Sequence, residues 1–177
     1  IKISMKKKII ITGGLGYIGS ELCKIYSGVS WKHKIVVLDN RFISNRVNQL
    51  RNWNIEFIQG NILDKILVEK LFKDADIVHH LAGITDVPRV KSDTSEIQDK
   101  KIHEVGEKGT QNILDAINNK CKIIFPSTHV VYEGIKDVKI DIQEEEQTKP
   151  VLSYSVSKDL NEKQLKNSGK NYVILRL

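Results

Sequence analysis

The stretch IIITGGLGYIGSEL, residues 9–22, sets four glycines (Gly13, Gly14, Gly16 and Gly19) within seven positions, between a β-branched run and an apolar, helix-like run. Glycine loses more backbone freedom on folding than any other residue, so such a cluster marks a sharp turn or a close approach to the backbone. Gly14, Gly16 and Gly19 satisfy G-x-G-x-x-G, and Gly13, Gly16 and Gly19 satisfy G-x-x-G-x-x-G; both registers follow a strand and open a helix, the context that turns a weak motif into a dinucleotide signal. The helix N-terminus there offers unpaired N–H groups and a positive dipole end to a pyrophosphate. Asp39 stands twenty residues after Gly19, at the end of the next strand candidate, the spacing at which a carboxylate reaches an adenosine ribose diol. That carboxylate repels a 2′-phosphate, so the pattern favours NAD over NADP; Arg41, two residues on, is expected to be an exposed loop cation. The Gly-Lys-Ser/Thr of a phosphate-binding P-loop is absent.

Outward from the glycines, short apolar runs alternate with longer amphipathic ones. Strands are expected over 8–12, 34–39, 55–60, 76–83, 122–127 and 171–177, where continuous β-branched runs suit strands covered on both faces. Helices are expected over 17–27, 45–52, 65–72, about 97–119 and 153–167. Repeated β-α order predicts an α/β fold, a doubly wound parallel sheet of the Rossmann type with right-handed crossovers. The segment DIQEEEQTKP, 141–150, reads as a long surface loop before a helix, and long loops in such sheets often frame a site.

At 177 residues, 40% hydrophobic and 28% charged, the chain has room for one cored domain. Its net charge of +6 comes from scattered lysines and arginines, with no basic block and no aromatic interleaving, so nucleic-acid binding is not expected. Cys23 and Cys121 lack metal or disulfide-framework spacing and read as buried thiols of a reducing compartment. No apolar run approaches a membrane span and no signal peptide precedes the first strand, which predicts a cytoplasmic protein. The first Met is Met5, so residues 1–4 are expected to lie upstream of the natural start. His79 and His80 are neighbours on a strand and point to opposite faces, and no metal site is expected.

Nicotinamide chemistry needs a proton acceptor, and a Tyr with a Lys four residues later on one helix face supplies it, the ammonium lowering the phenol pKa. Two such pairs occur, Tyr132 with Lys136 and Tyr154 with Lys158. Gly134 and the preceding strand argue against a helix in the first. The second lies in LSYSVSKDLNEKQLK, where Ser153 is expected to cap a helix, so Tyr154 and Lys158 are the expected pair.

TGGLGYIGSEL, VVLDN, GNILD, HLAG, GTQNILDA, FPSTHVVYE, PVLSYSVSK and YVILRL, in this order, resemble the extended short-chain dehydrogenase/reductases, the NAD-dependent sugar epimerase/dehydratase family, in its UDP-glucose 4-epimerase-like branch. The resemblance runs from Lys8 to Leu177. It implies that Gly13, Gly16, Tyr17, Ile18 and Gly19 form the pyrophosphate loop, that Asp39 and Asn40 meet the adenosine ribose, and that Asn61 and Ile62 meet the adenine. It further implies that Leu81, Ala82 and Gly83 pass the cofactor, that Thr128 bonds the reacting sugar hydroxyl, that Tyr154 is the general base, and that Lys158 tunes it and holds the nicotinamide ribose. Its partners would be a nucleotide-sugar substrate and a second copy, docked through helices 97–119 and 153–167.

The departures are informative. Dehydratases of the family carry Asp-Glu after the Thr, where this chain has His129 and Val130; Val cannot transfer a proton. Gly106 stands where relatives have Asn, and Glu133 where they have Gly. The expected reaction is epimerisation of a nucleotide sugar, with a dehydrogenase, reductase or decarboxylase, or a non-catalytic dinucleotide-binding regulator, as alternatives. Because relatives continue past YVILRL into a smaller substrate domain, these residues are expected to be the amino-terminal, NAD-binding part of a longer protein, its sheet ending in an edge strand that exposes Val173, Ile174 and Leu175.

Overall fold

Side chains on successive positions of a strand point to opposite faces, and the central strands here bury both sets. Ile9 and Ile11 of β1 (Lys8–Thr12), with Ile35 and Val37 of β2 (Lys34–Asp39), face one hydrophobic cluster; Ile10, Val36 and Leu38 face the other. The computed structural model describes residues 6–85, 96–136 and 141–177; Met5 and the four residues before it lie outside them. Six strands pair wholly in parallel in the order β3-β2-β1-β4-β5-β6, with β3 at Glu56–Gln59, β4 at Ile77–His80, β5 at Lys122–Ser127 and β6 at Asn171–Arg176. This is the doubly wound arrangement read from the sequence. Its order reverses between β1 and β4, where such sheets open a ligand crevice at their carboxyl ends.

Helices α1 (Tyr17–Ser27) and α2 (Ser44–Asn52) close the first face through Leu22, Cys23, Tyr26, Val47 and Leu50. On the second face, α3 (Lys65–Phe72), α5 (Gly109–Ala116) and α6 (Ser153–Asn167) contribute Val68, Phe72, Ile113, Leu114 and Leu165. Burying each such side chain contributes about 1.5–3 kcal/mol. Cys23 and Cys121 are free, buried thiols, as read from their spacing.

Several boundaries differ from the sequence reading, each for a local reason. β4 stops at His80 rather than 83 because Leu81 N–H turns back to His79 O (3.2 Å) and Ala82 N–H leaves the ladder for Thr12 Oγ1 (3.0 Å). β3 is confined to 56–59 within the expected 55–60. The helix expected over 97–119 is two helices, α4 (Glu96–His103) and α5, joined by a π-helical segment at Glu104–Lys108. There Gly106 lies so close to α6 that a Cβ would collide with Ser157 Oγ, and its carbonyl accepts from Asn161 Nδ2 (3.0 Å). Glycine in place of the family's Asn therefore lets the segment bulge onto α6. Ser153 does not cap α6: the N-cap is Leu152, with no side-chain capping bond, and Ser153 is the first helical residue. On the edge strand Val173 and Leu175 are 36% and 45% exposed as expected, whereas Ile174 packs against the second core cluster.

Candidate active site

At the carboxyl end of β1 the chain turns through Gly13 at φ +67°, where a Cβ would stand 2.9 Å from the Ala82 backbone. Gly13 N–H donates to Leu38 O (2.8 Å), and Gly16 N–H returns to Gly13 O (2.9 Å). Gly19 is equally confined, its missing Cβ being 2.5 Å from Gly13 O, while Gly14 packs flat on Val37. Both glycine registers thus serve, one for the turn and one for seating α1 on β2. Gly16 caps α1 without a side-chain bond, so the first amides of the helix stay available to a ligand. Tyr17 and Ile18 are 87% and 49% exposed there.

Asp39 is 4% exposed. Its Oδ2 accepts from Leu15 N–H (3.0 Å) and its Oδ1 from Arg41 N–H (3.0 Å) and Nε (3.3 Å). Arg41 is the exposed loop cation read from the sequence, its side chain 56% exposed while it pairs with the Asp39 carboxylate. Asn40 is exposed and its carbonyl accepts from Gln59 Nε2 (3.4 Å). The Asn61 carboxamide oxygen is occupied by Leu63 N–H (3.0 Å), and the Ile62 side chain is buried in the second cluster beneath Gly109. Asn61 itself is exposed.

The Leu81–Gly83 segment is tied to the glycine turn by a buried network that the sequence reading missed. Thr12 Oγ1 accepts Ala82 N–H and lies 3.0 Å from His80 Nδ1, and His80 Nε2 lies 3.0 Å from Thr110 Oγ1 on α5. His80 faces one side of the sheet and His79 the other, toward Tyr26 OH (2.7 Å), as their adjacency on a strand requires, and both are buried. Burial, with the Lys158 ammonium nearby, pushes the His80 pKa down to about 3. In the unfolded chain His80 takes up its proton near pH 6.5, so folding excludes that proton. The stability this brings is complete above pH 6.5 and drains away as pH falls toward 3. Between pH 6 and 4 the protein should lose up to about 1.4 kcal/mol per pH unit more than a His80→Gln variant. Urea unfolding at several pH values measures this, and equal slopes would refute it.

Thr128 ends the run after β5 and caps the 3₁₀ turn His129–Tyr132, its Oγ1 accepting Val130 N–H (3.3 Å). Its side chain also favours the ionised form of the neighbouring Tyr154 phenol. Lys158, one turn along α6, donates to Pro126 O (2.8 Å), with its Nζ 4.5 Å above the Phe125 ring and 5.9 Å from the centre of the Tyr154 ring. Burial lowers the Lys158 pKa to about 8. The Tyr154 pKa is raised rather than lowered: burial outweighs the opposing effect of Thr128, and the ammonium is directed to Pro126 instead of the phenol oxygen. The three expected catalytic residues are therefore together. Tyr132 is not their rival. Its turn ends before Lys136, and its hydroxyl meets Gln143 O (3.2 Å) and Arg176, tying down the loop at 141–150.

Beneath this group Glu162, 1% exposed, accepts from Ser127 Oγ (2.6 Å) and Arg176 (2.7 and 2.9 Å), joining α6 to β5 and β6. Its spacing from Tyr154 and Lys158, eight and four residues along one helix, was the available signal. A cavity of about 480 Å³ opens beside the 3₁₀ turn, lined by His129, Tyr132, Glu133, Ile142 and Arg176. His129 Nδ1 is held by Leu177 O at 2.8 Å. Among the described residues no cluster of His, Cys, Asp or Glu could hold a metal ion, and no helix is long and apolar enough to cross a membrane.

The glycine turn, the uncapped α1 and Asp39 fit a dinucleotide: amides for a pyrophosphate, space that a Cβ would close, and a carboxylate for a diol. Comparison with known proteins agrees. The sequence profile of the NAD dependent epimerase/dehydratase family matches residues 9–177. A dTDP-D-glucose 4,6-dehydratase of Dictyostelium discoideum is 37% identical over 170 residues, covering 86% of this chain and 38% of that protein. The crystal structure of a UDP-glucose 4-epimerase from Brucella ovis in complex with NAD superposes with a TM-score of 0.77 at 26% identity, over 96% of this chain and 51% of that one. A UDP-glucuronic acid 4-epimerase from Bacillus cereus, bound to UDP-glucuronic acid and NAD, gives 0.75 at 28% identity, over 96% and 55%. The chain spans 38–54% of the length of the first curated relatives it matches.

Proposed function

The chain belongs to the NAD dependent epimerase/dehydratase family, and from that premise we propose that it binds NAD and serves the epimerisation of a nucleotide sugar through a transient keto intermediate. The observation that carries this reading is the grouping of Tyr154 with Lys158, whose Nζ lies 5.9 Å from the Tyr154 ring centre, and with Thr128, at the crevice that the glycine turn borders. Bound NAD would supply the hydride acceptor and donor. Tyr154 takes the proton of the sugar hydroxyl as the carbonyl forms and returns it after the keto sugar has turned over. Thr128 holds that hydroxyl within reach. Lys158, charged below about pH 8, favours the phenolate by its field and is placed to hold a ribose hydroxyl. Because hydride leaves and returns, no net redox results.

Water elimination, the reaction named for the Dictyostelium relative, is disfavoured. Val130 has no proton to transfer, and His129 is engaged by Leu177 O. The free thiols Cys23 and Cys121 support a reducing, cytoplasmic setting. The resemblance also carries a homodimer through the outer faces of α4, α5 and α6, where Glu107, Gln111, Leu114, Leu160 and Gln164 line a groove of about 370 Å³.

The reading is tested by denaturing the purified full-length protein and identifying the released nucleotide, NAD being the expected one. Preference over NADP follows from Asp39, moderated by Arg41, whose guanidinium partly offsets the carboxylate. Titration calorimetry should find NAD bound at least about tenfold more tightly than NADP, a gap of about 1.4 kcal/mol. Asp39→Asn, which keeps an acceptor for Leu15, should narrow that gap and Arg41→Ala widen it. Equal affinities in the unmodified protein would overturn the assignment.

A further inference from the structure

Glu133 follows the catalytic Thr128 by five residues, in a position where the resemblance leads one to expect glycine, and no role in the chemistry above falls to it. Its side chain nevertheless makes three bonds across the site. Oε1 accepts Val151 N–H (2.8 Å), Leu152 N–H (2.7 Å) and the Ser155 hydroxyl. Leu152 is the N-cap of α6 and has no capping side chain of its own, and Ser155 lies in the first turn with Tyr154. A carboxylate from another element therefore sits at the positive end of the helix that carries the general base. These bonds hold the Glu133 carboxyl below its ordinary pKa against the opposing effect of burial.

The same 3₁₀ turn carries both Thr128 and Glu133. Thr128, its N-cap, faces the Tyr154 phenol; Glu133, its C-cap, bonds the backbone from which Tyr154 springs. We propose that Glu133 is a positioning residue which, by gripping the start of α6, sets the register between the Tyr154 phenol and the Thr128 hydroxyl. A Gly at this position could not reach α6, so the device is a property of this chain's own sequence. Arg176 and His129 line the same cavity as Glu133 but are committed elsewhere, Arg176 to Glu162 and His129 to Leu177 O.

The turn and the loop before α6 are also joined by main-chain bonds, Gly134 N–H to Lys149 O and Lys149 N–H to Val131 O, both 2.8 Å. Those bonds survive substitution of Glu133, so variants are expected to fold and to lose register rather than structure.

The inference rests on the epimerase reading, and its test separates the two. The full-length protein is assayed with UDP-glucose, UDP-glucuronic acid and dTDP-glucose, beside its Tyr154→Phe, Glu133→Ala and Glu133→Gln variants, each first checked for NAD binding and thermal melting. Misplacement of a proton acceptor by a fraction of an ångström should lower kcat of Glu133→Ala roughly tenfold to 100-fold. NAD affinity and sugar KM should stay within a factor of about three, the range of a neutral surface change. Glu133→Gln keeps an acceptor oxygen for the two amides and should recover most of kcat. Unaltered kcat in Glu133→Ala, or a loss that Gln does not restore, or a fall that merely tracks NAD binding, overturns the positioning role. Turnover that survives Tyr154→Phe, or no turnover on any of the three sugars, instead overturns the reading beneath it.

Discussion

Replacing Tyr154 by Phe is expected to lower turnover of a nucleotide sugar by about 100-fold or more while NAD binding stays nearly intact. The substitution removes one hydroxyl and leaves the ring, which is half-buried with Lys158 Nζ 5.9 Å from its centre. With the hydroxyl goes the group proposed to take the substrate's proton. Tyr132→Phe provides the control. It costs a tie between the 3₁₀ turn and the loop at 141–150, and its effect on kcat should be much milder. Steady-state kinetics on the full-length protein decide the matter; reversed effects would mean that the wrong Tyr-Lys pair has been chosen.

The second large effect concerns stability. Arg176→Met should reduce the free energy of unfolding by about 3 kcal/mol, the lower end of what removing one partner of a buried ion pair costs. Glu162 is 1% exposed and would keep only Ser127 and Lys166, the latter at 3.2 Å and half in solvent. Arg176 also secures Tyr132 OH and Glu144 O, so the loop before α6 loosens as well. The double variant Glu162→Met with Arg176→Met should recover at least half of the loss, because two apolar side chains need no partner. Urea unfolding followed by circular dichroism measures both; a loss below about 1 kcal/mol for Arg176→Met would show that water already reaches the carboxylate.

What the sequence disclosed depended on how local the cause was. The glycine turn, Asp39, and the Tyr154–Lys158 pair are encoded within a few residues or one helix face, and the structure holds each where the spacing put it. The parallel, doubly wound character of the sheet followed from strand-helix alternation. The Glu133 anchor joins positions eighteen to twenty-two residues apart, and the His80 bridge joins β1, β4 and α5; no periodicity marks a contact between elements. The π-helical segment within the helix expected over 97–119 was hidden for a related reason, since there Gly106 packs against Ser157 and Asn161 of another helix.

The wholly parallel sheet also has a bearing on how the chain acquires its form in time. No strand pairs with one that a hairpin could bring to it. Ile9 must wait for Ile35 on one side and for Ile77 on the other, 26 and 68 residues later. At ribosomal rates of roughly 5–20 residues per second, the second wait is about 3–14 s. During that interval the edge of β1 that will meet β4 stays open to solvent, and the Ala82 amide that later bonds Thr12 Oγ1 has yet to be made. Closing such distant pairs is intrinsically slow. The crevice is therefore among the last features to form, although the glycines that border it are among the first to be synthesised.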